Sequence, residues 1–315
     1  MDPITHTMVG AVLARTVGDR RTPLAGATLM LAANAPDIDI YSAWTETSFG
    51  SIAFRRGWTH GPIALALLPF AVTLLVLGYD RLRRQRSPER AAADPRWVLA
   101  LATLGVISHP ALDWLNTYGI RLLMPLSPRW FYGDAVFIID PYWWALLAIT
   151  LVLARRGASA LVVRRVALVA LAYPLTMVVV GKFGERIAAD AAREAGIAGV
   201  REVMYQPAMG NPLAAQLVAV TDAGYHYGRL AWWASPRVRY DGTVIARGDW
   251  TDPRVQAAMR DPEVRDYLVW SRFPWVQIEA TAADGSAAVG FGDARFPRGG
   301  LAGGLGGLSV TVPPQ

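Results

Sequence analysis

The chain has 315 residues, 53% of them hydrophobic and 18% charged, whereas soluble domains carry about 25% charged residues. This composition excludes a disordered chain, a coiled coil and a nucleic-acid-binding arm, and it points to a membrane protein where the apolar residues cluster. With a net charge of +6 the positions of the Arg residues matter more than their sum, and because cysteine is absent any metal must be held by His and carboxylates.

A span of the bilayer core takes about 20 mostly apolar residues. In chain order, two runs of about 15 residues come first, Ile4–Val17 and Thr22–Pro36, separated by Gly18, Asp19, Arg20 and Arg21. They read as a helical hairpin, and not as a signal peptide, because the basic residues follow the first run. Gly61–Tyr79 and Trp97–Leu115 are full-length runs. Pro141–Ala154, preceded by the apolar Ala135–Ile139, and the slightly short Val166–Gly181 complete the set. The predicted fold is therefore an α-helical integral membrane bundle of about six short or full transmembrane helices over residues 1–181. A linking helix over 182–199 and a β-rich extracytoplasmic domain over 200–315 follow it.

Basic residues of short loops stay on the cytoplasmic side. Arg15–Arg21, Asp80–Arg96 and Arg155–Arg165 are the basic turns. Six helices place all three inside, and the N-terminus and everything after Gly181 outside. The basic excess then needs no nucleic acid to explain it. Beyond residue 200, short apolar runs alternate with Gly, Pro and Asp, as in Gln216–Thr221, His226–Trp233, Val238–Ala246, Trp275–Ala280 and Ala287–Phe291. These read as strands. Asp252–Trp270 contains a helix, and the Gly-rich Gly299–Gln315 reads as irregular.

Three of the four His lie in the apolar half: His6, His60 and His109. A titratable group in a membrane segment is a functional candidate by default. The orientation set by the Arg residues places His6, Asp37, Asp39, His60, His109, Asp113 and Asp140 at one membrane face. His109 and Asp113 stand four residues apart and share a helix face. His and Asp together suit Zn²⁺, Mn²⁺ or Fe²⁺, and the number of ligands allows two ions. Each residue also has a plainer reading. Asp37 and Asp140 serve as helix caps, His6 and His60 as interfacial or turn residues, and Arg55 and Arg56 as loop charges rather than a phosphate clamp. His226, among aromatic residues, reads as packing, and the Trp residues as an interfacial belt.

Four pieces stand in order: Asp2-Pro3-Ile4-Thr5-His6, Ala35-Pro36-Asp37-Ile38-Asp39, Arg56-Gly57-Trp58-Thr59-His60 and His109-Pro110-Ala111-Leu112-Asp113. Phe131-Tyr132-Gly133-Asp134 and Ile139-Asp140-Pro141 follow. The combination resembles the YdjM-like family of predicted membrane-bound metal-dependent hydrolases. The resemblance extends more loosely to Trp270-Ser271-Arg272-Phe273-Pro274 and Gly292-Asp293-Ala294-Arg295-Phe296. It implies a metal site of His6, Asp37, Asp39, His60, His109 and Asp113. The family's serine after the third motif's histidine is Gly61 here.

The expected function is hydrolysis of a membrane lipid or lipid-linked phosphoester at the outer leaflet of the bacterial inner membrane, phospholipase-like, by metal-activated water. Asp39 or Asp113 would act as base or bridge two metals. Asp134, Asp140 and Arg56 are additional site candidates. The alternative is a non-enzymatic metal-binding scaffold or a transporter. Transporter sites lie near the bilayer midplane, whereas these residues gather at helix ends.

Overall fold

The computed structural model describes residues 1–18, 21–296 and 306–314. Asp19 and Arg20 of the first basic turn, and residues 297–305 and 315 of the Gly-rich tail, lie outside the described residues. The chain divides into two compact units.

The first unit comprises Met1–Asp39, Arg55–Lys182 and Gln206–Pro212. It begins with α1 (Pro3–Leu13), whose N-terminus is capped by Asp2, followed by a π-helical turn at Ala14–Gly18. Helix α2 (Ala25–Ala32) gives way to a 3-10 helix at Ala35–Tyr41. Two short helices that belong to the second unit, α3 (Ser42–Thr45) and α4 (Ser48–Phe54), come next in the chain, and the first unit resumes with α5 (Pro62–Arg86) and α6 (Pro95–Trp114). Helices α7 (Pro141–Arg155) and α8 (Ala160–Glu194) complete the helical half. On α6 the buried residues Val98, Leu101, Ala102, Gly105, Val106, His109 and Asp113 recur at three- and four-residue spacing, which makes one continuous buried face. Val98, Ala102 and Val106 pack with Ala32 of α2 and with Val72 and Val76 of α5.

The expected six-helix membrane bundle is not what forms. Among the described residues two helices, α5 and α8, are long and apolar enough to cross a membrane. At a rise of about 1.5 Å per residue, α1 and α2 extend only about 16 and 12 Å, against a hydrocarbon core of about 30 Å. The run Ile4–Val17 is cut short by the π-helical turn, and the second run ends where the 3-10 helix begins. Asp140 caps α7 through the Trp143 backbone N–H, so Ala135–Ile139 adds nothing to that helix and leaves it with 15 residues. Helix α6 has 20 residues, but its buried face carries His109 and Asp113. In contrast, Leu67, Phe70, Leu74 and Leu75 of α5 and Leu168, Val169, Leu175 and Val179 of α8 are exposed. Their apolar windows are only 22% buried, as a lipid-facing helix requires and a core helix does not.

The second unit comprises Ile40–Phe54, Phe183–Tyr205 and Leu213–Gln315. Residues read in the sequence as a linking helix continue α8 without a break to Glu194. Strands β1 (Glu202–Ala208), β2 (Asn211–Val220), β3 (Gly224–Ala231) and β4 (Val238–Ala246) form a sheet in that order. After α9 (Pro253–Ala258) and α10 (Pro262–Trp270), a three-stranded sheet follows: β5 (Pro274–Thr281), β6 (Ala287–Asp293) and β7 (Gly307–Val312). The region Asp252–Trp270 holds two helices, capped by Asp252 and Asp261. Strand β7 lies inside the stretch expected to be irregular: Val310 pairs with Val289, and Leu308 with Phe291.

Candidate metal centre

Local sequence places each side chain of the centre. His109 and Asp113 lie one turn apart on the buried face of α6. Gly105, one turn earlier, allows this face to approach α2. A Cβ at position 105 would lie 2.5 Å from the Ala32 Cβ and 3.1 Å from the Ala33 nitrogen. The close approach brings the Ala33 carbonyl to 2.7 Å from His109 Nδ1. The 3-10 helix carries Asp37 and Asp39. Asp39 Oδ2 accepts from the Arg56 backbone N–H at 2.9 Å and from Thr59 Oγ1 at 2.8 Å. These bonds hold the loop that presents His60, in which Arg56 adopts a left-handed φ of 55°. Such a conformation persists at a non-glycine residue only when its surroundings enforce it.

Ligand atoms of Asp37, His60, His109 and Asp113 all lie within 4.8 Å of one another. His60 Nε2 and His109 Nε2 are 3.0 Å apart, and Asp113 Oδ2 is 3.5 Å from each. Asp37 Oδ1 lies 3.6 Å from His109 Nε2 and 3.9 Å from His60 Nε2. The other ring nitrogens fix the tautomers. His109 Nδ1 faces a carbonyl, which can only accept, so Nδ1 carries the hydrogen. Thr59 gives its single proton to Asp39, so its oxygen accepts from His60 Nδ1 at 2.9 Å. Both Nε2 atoms then direct lone pairs at one point, beside two carboxylates.

Two imidazole lone pairs on nitrogens 3.0 Å apart repel each other, and this is the pattern in which outer hydrogen bonds orient metal-binding imidazoles. Asp113 is fully buried: its Oδ2 faces both imidazoles and the Arg56 Nε, and its Oδ1 meets the Met1 ammonium and His6 Nε2. Burial and the neighbouring His109 lower the His60 pKa, favouring the neutral, ligating form. Burial alone would raise the Asp37 carboxyl. The neighbouring His109 and His60 imidazoles and the Arg56 guanidinium outweigh this and hold it below the usual carboxylate range. Asp39 is pushed upward by burial despite its bonds to Arg56 and Thr59. The four residues can therefore hold a metal ion.

The remaining predicted site residues take other places. His6 stacks on His109 with ring centroids 3.9 Å apart, and its Nε2 lies 3.3 Å from Asp113 Oδ1. Asp39 lies behind His60, its Oδ2 3.5 Å from Nδ1. The Arg56 guanidinium reaches Asp113 Oδ2 at 3.1 Å through Nε, and Asn116 Oδ1 and the Gly119 carbonyl through Nη1. Asp140 caps α7 and accepts from the Tyr173 hydroxyl at 2.9 Å. Asp134 is buried in the loop before α7, at a left-handed φ of 49°. Sequence reasoning missed the Ala33 carbonyl, which no side-chain pattern marks, and Asn116, a buried polar residue just past the fourth motif. At position 61 a Cβ would lie 1.9 Å from the Met124 carbonyl oxygen. This backbone therefore leaves no room for a side chain at position 61.

Curated proteins and solved structures yielded no match to the chain. The YdjM inner membrane protein family matches residues 1–183, more than half of the chain and all of the residues that form the centre. The chain belongs to the family of YdjM inner membrane proteins.

Proposed function

We propose that the protein is a metal-dependent hydrolase of the inner membrane that cleaves a lipid or lipid-linked phosphoester at the outer leaflet. The observation that carries this reading is the convergence of the His60 and His109 lone pairs, 3.0 Å apart, beside Asp37 and Asp113. When bound, a divalent ion such as Zn²⁺ supplies a hydroxide near neutral pH and polarises a phosphoryl oxygen. The chain's own groups prepare that chemistry. Ala33 and Thr59 fix the imidazoles, and Arg56 neutralises the buried Asp113. Asp37 is the ligand with solvent access, its side chain 15% exposed. Kept ionised, it offers a proton acceptor on the open side of the centre.

Position supports the lipid assignment. His60 lies two residues before Pro62, where the spanning helix α5 begins, which favours a centre at headgroup depth. Ile38 and Trp58, next to site residues, are exposed apolar groups suited to that interface. Arg83, Arg84 and Arg86 end α5 at its other end, and Arg164 and Arg165 lie in the first turns of α8. The positive-inside rule assigns those ends to the cytoplasm, and thereby the centre and the chain beyond α8 to the outer side.

Complete burial of His60, His109 and Asp113 favours a second reading. Structural metal sites are closed, whereas catalytic ones keep an open position. The test uses full-length protein purified in detergent and loaded with zinc, offered phosphatidylglycerol and polyprenyl phosphate in mixed micelles. The hydrolase reading expects product release that His109→Ala abolishes together with zinc binding. Zinc-loaded wild-type protein that cleaves neither lipid supports the structural site instead.

A further inference from the structure

Two adjacent arginines border the centre in different ways. Arg56 is committed: Nε lies against Asp113, Nη1 against Asn116 and Gly119, and the guanidinium carbon is 4.5 Å from the centre of the Tyr118 ring. Its side chain is 6% exposed. Arg55 is 29% exposed and stands at the open side of the centre, with Nη2 3.9 Å from Asp37 Oδ1 and Nε 3.8 Å from Asp39 Oδ1. Both distances exceed the 2.7–2.9 Å or so of a charge-assisted hydrogen bond. Arg55 Nε is buried and makes no hydrogen bond, which leaves a desolvated donor uncompensated. The Asp37 oxygen it faces is the same atom that faces His60 and His109.

We infer that Arg55 is the oxyanion-binding residue of the centre, and that it takes a phosphoryl oxygen placed between its guanidinium and the four-ligand group. A planar guanidinium matches a tetrahedral oxyanion in shape and charge. An anion there supplies the acceptor that Nε lacks and stands beside Asp37, the ligand with solvent access. Arg56 is held at the back of the centre by Asp113, Asn116, Gly119 and Tyr118 and would have to give up these partners to turn to that position. The inference rests on the hydrolase reading for its substrate class, and its test does not depend on turnover.

The experiment titrates inorganic phosphate into full-length, zinc-loaded protein in detergent, by calorimetry, for wild type, Arg55→Ala and Arg55→Lys. Wild type binds phosphate. Arg55→Ala binds it about tenfold more weakly or worse, the scale of one charge-assisted hydrogen bond, with zinc affinity unchanged. Arg55→Lys recovers part of the loss. A parallel titration with dihexanoyl phosphatidic acid separates the sources of the oxyanion. Tighter binding than inorganic phosphate identifies a lipid headgroup, and equal binding identifies the phosphate group alone. The inference is overturned if wild type binds no phosphate, if Arg55→Ala binds it like wild type, or if Arg55→Ala loses zinc and phosphate together, which would make Arg55 a support for Asp37. Failure of the hydrolase reading shows separately, as zinc-loaded wild type that binds phosphate and cleaves no lipid.

Discussion

His109 Nδ1 lies 2.7 Å from the carbonyl oxygen of Ala33, so the ligand-bearing face of α6 is tied to the end of α2. That bond exists because Gly105 leaves room for the two backbones. Gly105→Val forces α6 outward, since even a Cβ would meet Ala32 at 2.5 Å. We expect zinc affinity to fall roughly 10–100-fold, as for loss of other groups that orient metal ligands, and stability to fall by about 1–3 kcal/mol. Zinc competition titration and thermal unfolding in detergent measure the two. Wild-type zinc affinity in Gly105→Val would show that the approach of α2 does not set the orientation of His109.

Thr59 relays between Asp39 and His60, giving its proton to the carboxylate and accepting from the imidazole. Thr59→Val keeps the shape and removes both bonds. His60 then loses the partner that keeps its hydrogen on Nδ1, and zinc binding weakens by about one to two orders of magnitude. Thr59→Ser retains the hydroxyl and should bind zinc nearly as well as wild type. Equal affinities for the Val and Ser variants would remove Thr59 from the account.

The chemistry of the first unit was more legible than its architecture. His109 and Asp113 could be paired from spacing alone, because a helix places positions four apart on one face. Asp37 and His60 could be grouped with them only through the assumed topology, and the structure draws them together by a different route. A 3-10 turn and a loop pinned by Asp39 position them, where spanning helices were expected. Hydropathy misjudged α1, α2 and α7 because it counts apolar residues, and neither a π-helical turn after Leu13 nor a cap at Asp140 alters that count. It also cannot distinguish the buried apolar face of α6 from the exposed faces of α5 and α8. In the second unit the apolar run Val238–Ala246 has the bounds of β4, whereas β7 is hidden among glycines. Its partner β6 supplies the apolar contacts.

Asp293 and Arg295 form a buried ion pair with no side-chain exposure on either partner. Asp293 also accepts from Ser271 Oγ at 2.8 Å and from the Arg272 backbone N–H at 2.7 Å, while Arg295 lies over the Trp270 ring. Burial opposes ionisation of Asp293, and Arg295 with these bonds overcomes it. Asp293→Ala leaves the Arg295 charge buried and alone, so the second unit should lose about 3–5 kcal/mol. Chemical denaturation of the full chain, followed by Trp fluorescence, measures it. A loss below 1 kcal/mol or so would show that the clasp is not needed to hold β6 beside α10.

Two buried tyrosines, Tyr225 and Tyr227, and the half-buried Tyr240 set how the second unit responds to alkali. Tyr225 donates to the Pro274 carbonyl at 2.8 Å, Tyr227 to the Ala294 carbonyl at 2.6 Å and Tyr240 to the Ala188 carbonyl at 3.0 Å. Burial pushes Tyr225 and Tyr240 up to about 12 and raises Tyr227 as well. A phenolate at any of these places would lose the donated bond and face a carbonyl oxygen. With the folded pKa above the unfolded value of about 10, the unfolded state releases protons first as pH rises. The contribution of these groups is therefore complete below about pH 10 and is lost as pH rises toward about 12. The unfolding midpoint of the second unit should hold steady from pH 8 to about 10 and fall beyond it. Tyr225→Phe cannot ionise, so it should lower the midpoint at neutral pH by the loss of one hydrogen bond, about 1 kcal/mol, and flatten the alkaline decline. An alkaline decline as steep in Tyr225→Phe as in wild type would exclude Tyr225 as one of its causes.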